Sequence, residues 1–218
     1  MALIFDIETN GFLDVVTKIH CLVIKDTETG EVHKCSTMAA IYGGITMLEQ
    51  ADLIVAHNGI KYDIPVIQKI VPQFTIDQSK VLDTLVLSRL IYSDMRERDG
   101  ANIEKGLLPT KLWASHSLKA WGYRLGLLKG EYGEQENAWE VFTPEMLEYC
   151  VQDVEVTHKL YEKLIAANYS QRAIELEHKT AFICARMERS GWPFDKEKAA
   201  TLYTCLLYTS PSPRDATL

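Results

Sequence analysis

No two cysteines stand at CxxC spacing, and no apolar run approaches the roughly 18 residues that a membrane helix needs. Basic residues are also too few: the formal net charge is -7. Each absence closes a class of proteins. Cys21, Cys35, Cys150, Cys184 and Cys205 make an odd set of five. They read as reduced thiols of a cytosolic compartment rather than a disulfide framework, a zinc knuckle or a redox pair. Cys150 itself reads as core filler. MALIFDIET has no basic segment at its start and turns acidic early, so no secretory signal is expected. The acidic balance excludes a protein that grips a polyanion by bulk attraction. The expectation is a soluble, cytoplasmic protein that does not meet a membrane.

What is present is a core. At 47% hydrophobic residues the chain is far from disorder, and 218 residues suit one domain with an attached fragment of another. Residues 2–9 alternate as a strand, which puts Ile4, Asp6 and Glu8 on one face and Phe5 and Ile7 on the other. Asn10-Gly11 signals a turn, IHCLVI (19–24) a second strand, and TETG (27–30) a turn into a third strand near 31–36. Two short connections in succession imply an antiparallel meander. LIVAHN (53–58) is a buried strand that opens onto polar residues, followed by a helix to about Ile70.

Another helix is expected from near Asp83, a long loop over 93–113, and a helix in SHSLKAWGYRLG (115–126) capped by Ser115 or Ser117. The clearest helix starts at Thr143, with Pro144 at its first position and Glu145 and Glu148 at the positive end of its dipole. Its stripe runs Tyr149, Asp153, Val156, Leu160, Leu164. From Arg172 a further helical pattern, Leu176, Thr180, Ile183, Met187, precedes the turn-rich SGWPFD and a short helix. CLLYTSPSPRDATL, at the end, fits no such pattern and resembles translated vector sequence.

The acidic residues in these apolar stretches are the anomaly. Asp6 and Glu8 lie on a strand, Asp63 follows a buried strand, and Asp153 interrupts a helical stripe one turn after Tyr149. Singly, each has an ordinary account: a solvated strand face, a helix cap, a core tyrosine, an ion pair. Together they describe carboxylates that would repel one another unless a divalent cation with oxygen ligands sits between them.

Three segments, LIFDIET, HNGIKYDIP and EYCVQDVEVT, resemble the three motifs of the 3′–5′ exonucleases defined by four acidic residues and a tyrosine. With KIHCLVI, DTLVLSRLI, SHSLKAWGYRLG and KGEY, the chain is similar to the N-terminal proofreading domain of phage family A DNA polymerases from about Ala2 to Asp195. IELEHKTAFICARMERSGWPFD resembles the segment joining exonuclease to polymerase, and no polymerase motif follows.

The resemblance implies an α/β, ribonuclease H-like fold, with a mixed central sheet and helices on both faces. It divides the chain into an exonuclease domain (1–170), the start of linker helices (171–205) and a non-native tail (206–218). It implies hydrolysis of terminal phosphodiesters at a single-stranded DNA 3′ end, releasing 5′-mononucleotides. Asp6 would bridge two Mg²⁺ (or Mn²⁺), Glu8 and Asp153 completing the first site and Asp63 holding the second. Tyr149 would orient the attacking water, and Thr9 and Asn58 would touch the terminal nucleotide.

The implied partner is the polymerase domain of the parent protein, and the implied state a monomer in the cytoplasm, that of the host if the protein is phage-encoded. Trp113, His116, Trp121 and Tyr123, interleaved with Lys111, Lys119 and Arg124, divide between core packing and a single-strand platform. Two other readings stand beside the first: an RNase D-like exoribonuclease, and a silent nucleic-acid-binding module.

Overall fold

The computed structural model describes residues 1–127, 132 and 138–209. It divides into two compact units, Met1–Ala185 and Arg186–Leu218. The first is built on a five-stranded sheet: β1 (Ala2–Thr9), β2 (Ile19–Asp26), β3 (Val32–Cys35), β4 (Leu53–Ala56) and β5 (Val81–Asp83), in the order β3-β2-β1-β4-β5. β1, β2 and β3 pair antiparallel, while β4 lies parallel to β1 and β5 parallel to β4. This is the mixed sheet of the ribonuclease H-like class, as expected.

Both faces of the sheet are covered, so strand alternation sorts residues into two cores. Leu3, Phe5 and Ile7 of β1 join Leu22, Ile24 and Ile54 under α1 (Met38–Gln50) and α2 (Asp63–Ile70). Ile4 joins Cys21, Val23 and Val55 under α6 (Pro144–Ala166), which presents Cys150, Val156, Leu160 and Leu164. α6 starts as its sequence foretells: Thr143 Oγ1 accepts from the Met146 amide at 3.1 Å, with Pro144 next. Lys25 of β2 pairs with Glu155 of α6 at 2.7 Å and fixes that helix across the strands.

α1, the crossover between β3 and β4, carries no element in the sequence reading. Its buried stripe is Ile41, Gly44, Ile45 and Leu48, and the second of these has no side chain to register as apolar. A Cβ at Gly44 would fall 2.8 Å from Leu22 Cδ2 and 3.2 Å from Cys35 Sγ, so close approach to β2 demands glycine. β5 is likewise unassigned in sequence; the helix expected there begins after it as α3 (Thr84–Ile91).

Residues 93–113 are not one long loop. They contain α4 (Met95–Glu104) and a 3₁₀ turn, Thr110–Leu112. α4 buries only Met95 and Asp99, so its sequence shows no apolar stripe. Asp99 instead holds the segment down: it pairs with Arg124 of α5 (Leu118–Leu125) at 2.7 Å and accepts from the Ala114 amide at 2.9 Å. α5 is capped by Ser117 and ends at Gly126, whose φ of 70° favours glycine.

α7 (Gln171–Ser190) is present over the expected helical pattern. Leu176, Ile183 and Met187 are exposed, while His178 and Ala185 are buried and Ile174 and Phe182 pack against the cores. The second unit contains the last turn of α7 and α8 (Lys196–Thr209), on which Leu202, Tyr203, Leu206 and Leu207 are exposed. Residues 210–218, most of the expected tail, lie outside the described residues, as does most of KGEY. No described helix is long and apolar enough to cross a membrane.

The side chains of Arg124 and Asp99 are only 7% and 1% exposed. Removing one partner leaves the other charge buried without its counter-ion, a loss of roughly 3–5 kcal/mol. Asp99→Ala should therefore lower unfolding free energy by about that much in urea melts, whereas an unchanged midpoint would show the pair to be dispensable.

Candidate active site

β1 extends past the end of β4: the parallel register covers only Ala2, Leu3 and Ile4. The far half of β1 is thereby open on one edge, and that edge faces the turn leading to α2. Asp63, the first residue of α2, is buried there and its carboxylate accepts a hydrogen bond from the Ile7 amide. On the α6 face of β1 stand Asp6, opposite Val23, and Glu8, opposite Cys21. α6 crosses this face with Asp153 buried and Tyr149 half-buried one turn earlier.

Ligand atoms of Asp6, Glu8 and Cys150 lie within 4.8 Å of one another. The Cys150 sulfur is 3.5 Å from Asp6 Oδ2 and 3.4 Å from the Asp6 carbonyl. Burial, with Cys21, Asp6 and Glu8 adding to it, pushes the Cys150 thiol well above the usual cysteine range. It stays protonated at neutral pH and donates to the Asp6 oxygens. Core filler is thus half the description of Cys150; it also orients a carboxylate.

The fields of these groups overlap. Burial pushes the Asp63 carboxyl up to about 7, and the charges of Asp83 and Asp153 push the same way. Burial likewise raises Tyr62, with Asp63, Glu8 and Asp6 reinforcing it. The structure therefore brings Asp6, Glu8, Asp63 and Asp153 into one corner, with Tyr149 beside them. Carboxylate oxygens crowded to this degree fit hard divalent cations, which would relieve the repulsion and displace the proton that Asp63 otherwise retains.

A pocket of about 450 Å³ adjoins the acidic corner, lined by Glu8, Thr9, Phe12, Asn58, Tyr62 and Trp139. Both predicted contact residues, Thr9 and Asn58, therefore face one space. The Thr9 and Tyr62 hydroxyls bond to each other and both reach the Gly11 carbonyl, at 3.1 and 2.7 Å. Lys69 of α2 donates to the carbonyls of Leu13 and Asp14, each at 2.9 Å, and so secures the loop that bears Phe12. The Trp139 ring meets Tyr149 edge-on with centroids 5.8 Å apart, and Tyr132 packs on both. His20 Nε2 donates to the Trp139 carbonyl at 3.0 Å, which ties the pocket wall to β2.

Of the two accounts open for the aromatics of 113–123, core packing holds for Trp121. Trp121 is 1% exposed, stacked against Tyr92 and covered by Arg124, so it is core. Trp113 is half-exposed, bonded to the Arg96 carbonyl and overlaid by that guanidinium. Phe12, Tyr62 and Trp139 escape sequence reasoning, although Tyr62 immediately precedes Asp63 and could have been flagged on that ground. Asp83 escapes it too: its buried carboxylate accepts from the amides of Asn58 (3.0 Å), Ile60 (3.1 Å) and Leu85 (2.9 Å). The turn it holds is tight, since a Cβ at Gly59 would fall 2.6 Å from Ala56 Cβ.

A family model described as 3′–5′ exonuclease matches residues 2–167. The chain belongs to that family. It is 38% identical to the DNA-directed DNA polymerase of Enterobacteria phage T3 and 37% identical to that of Escherichia phage T7, with 92% of this chain aligned in each case. The chain spans about a third of the length of these polymerases, 34% in each. Among solved structures, the apo form of a nuclease superposes with a TM-score of 0.61 at 20% identity, covering 89% of this chain and 87% of that one. Brucella melitensis NrnC with bound Mg²⁺ gives 0.59 at 19% identity, covering 88% and 86%. At such identities the likeness is one of fold. This exonuclease domain shares the architecture of both.

Linkage gives the site a pH signature in the absence of metal. Unfolded, Asp63 ionises near its ordinary 3.8; folded, it holds its proton to about 7. The folded state thus binds the extra proton in that window, and stability falls as pH rises through it. Asp63→Asn, in chelator, should be more stable than the native protein above pH 7. The gain should shrink as pH falls toward 4, as followed by thermal melts; a gain independent of pH would contradict the assignment.

Proposed function

We propose that this exonuclease hydrolyses the terminal phosphodiester of a single-stranded DNA 3′ end, releasing 5′-mononucleotides, and serves as the proofreading part of a DNA polymerase. The reading is supported by one arrangement: Asp6 and Glu8 stand together on β1, the charge of Asp153 acts on Asp63, and a pocket lined by Glu8, Phe12, Tyr62 and Trp139 adjoins. In this reading residues 171–205 begin the region that joins the domain to the polymerase. Affinity for isolated single strands should be weak, since the chain offers no positive surplus, and whatever cationic contacts hold the phosphates should make it salt dependent.

Asp6, Glu8 and Asp153 would hold one Mg²⁺ and Asp6 and Asp63 a second, supplying acidity to bound water and charge neutralisation at the phosphate. The protein's own groups do the rest. Trp139 and Phe12 offer flat apolar faces to the terminal base, while Asn58 and the Thr9 region receive its sugar. Tyr149, its ring fixed between Trp139 and Tyr132, orients the attacking water through its hydroxyl. Positioning suits a tyrosine better than proton abstraction at neutral pH, because the phenol of this residue type ionises near ~10.

With Mg²⁺ and 5′-labelled single-stranded DNA, the native protein should give a descending ladder and Asp6→Ala none. Tyr149→Phe should lower turnover by roughly 10- to 100-fold with metal binding retained. Loss of metal along with activity would overturn its role, and faster attack on RNA than on DNA would favour an exoribonuclease.

Phe12 is 81% exposed, so truncating it removes little packing. Phe12→Ala should change stability by no more than about 0.5 kcal/mol. It should raise KM for single-stranded DNA several-fold with a smaller change in kcat; unaltered KM would remove Phe12 from the substrate wall.

A further inference from the structure

The acidic corner is connected to a helix that contributes no residue to it. His178 of α7 is buried, and both ring nitrogens are engaged. Nε2 lies 2.8 Å from the Asp83 amide, which can only donate, so Nε2 accepts. Nδ1 then carries the proton and donates to the Ile174 carbonyl at 2.8 Å. β5 is an edge strand, and the Asp83 amide is a buried donor that the β4 pairing leaves to another partner. His178 is that partner.

Asp83 passes the constraint on. Its carboxylate gathers the amides of Asn58 and Ile60 from the β4–α2 turn, and the neighbouring Thr84 hydroxyl donates to the Ala56 carbonyl at 3.2 Å. His57 Nδ1 meets the same hydroxyl at 2.9 Å. That turn sets Asn58, whose φ is 69°, in the pocket wall and delivers Asp63 to the acidic corner. Alongside His178, a hollow of about 450 Å³ lined by Leu53, Gln78, Val81 and Phe182 leaves much of the α7–β5 seam unfilled. His178 thus adds a hydrogen bond from α7 to the strand beside the apolar packing of Ile174, Phe182 and Ala185.

We infer that His178 is a positioning residue of the exonuclease site. Through Asp83 it fixes the turn that carries Asn58 and Asp63, so the seating of α7 governs metal binding at Asp63. The inference rests on the proposed function for its meaning, though not for its geometry. α7 is the element on which the first compact unit ends, which makes the contact a natural point for the following chain to influence hydrolysis.

The test compares His178→Gln, whose amide oxygen can reach the place of Nε2, with His178→Asn and His178→Leu, which leave the Asp83 amide without an acceptor. Mn²⁺ alone is the probe, its binding read from the free-ion electron paramagnetic resonance signal well below the melting temperature. Amide hydrogen exchange is followed at Asn58, Ile60 and Asp83. Asn and Leu variants should bind Mn²⁺ about tenfold more weakly and exchange these amides faster, with Gln near the native protein. If His178→Leu fails to fold, the Gln and Asn variants decide between them. Equal behaviour of those two, or native Mn²⁺ affinity and exchange in His178→Leu despite a lowered melting point, would overturn the inference. Native protein that binds Mn²⁺ yet leaves DNA intact would instead count against the exonuclease reading and leave this one standing.

Discussion

Like charges held together where water is scarce are the constraint around which the first unit is arranged. Asp6 and Glu8 come from a central strand, Asp63 from the start of one helix and Asp153 from the middle of another. Left to electrostatics these elements would part. They stay because the sheet ladder and two apolar cores outweigh the repulsion, and because local donors soften it: the Ile7 amide on Asp63 and the Cys150 thiol on Asp6. Burial first, and the charges of Asp83 and Asp153 after it, push the Asp63 carboxyl up to about 7. Part of the fold's stability is thus spent on a site whose repulsion a bound cation would relieve.

Legibility in the sequence followed how local each cause was. β1, β4 and α6 could be read because period-two alternation, an apolar run and a Thr-Pro start are short-range signals. The four acidic residues stand out in the sequence because each breaks such a signal. α4 could not, since its anchor is the pairing of Asp99 with Arg124, which lies in another helix. α1 could not, since its stripe passes through Gly44. α7 could be read as a helix but not its facing, since Leu176, Ile183 and Met187 are apolar and yet exposed. The actual buried face is organised by a histidine.

Asp83 shows why a correct local account can conceal a long-range one. An aspartate before a helix is well explained as a cap, and Asp83 does cap α3. The same carboxylate also reaches back across the sheet to Asn58 and Ile60, and nothing in its neighbouring residues announces this. The pocket aromatics are similar. Phe12, Tyr62 and Trp139 come from a loop, a helix-preceding turn and an irregular segment, so no periodicity links them. Their common position is a product of topology.

The acidity of the chain then takes on a functional sense. A protein of net charge -7 with carboxylates gathered at its site would repel a phosphodiester. Divalent cations reverse that sign within a few ångströms and leave the wider surface repulsive. Substrate binding at the corner would then require both the cations and a flexible end thin enough to enter alone, because a duplex would bring many more phosphates against the acidic exterior. In that reading the aromatic wall would contribute what electrostatics withholds: stacking on Trp139 and Phe12 that is indifferent to charge and, in large part, to base identity. Under the proposed function, preference for a single-stranded end would follow from this division of labour without any group that reads sequence.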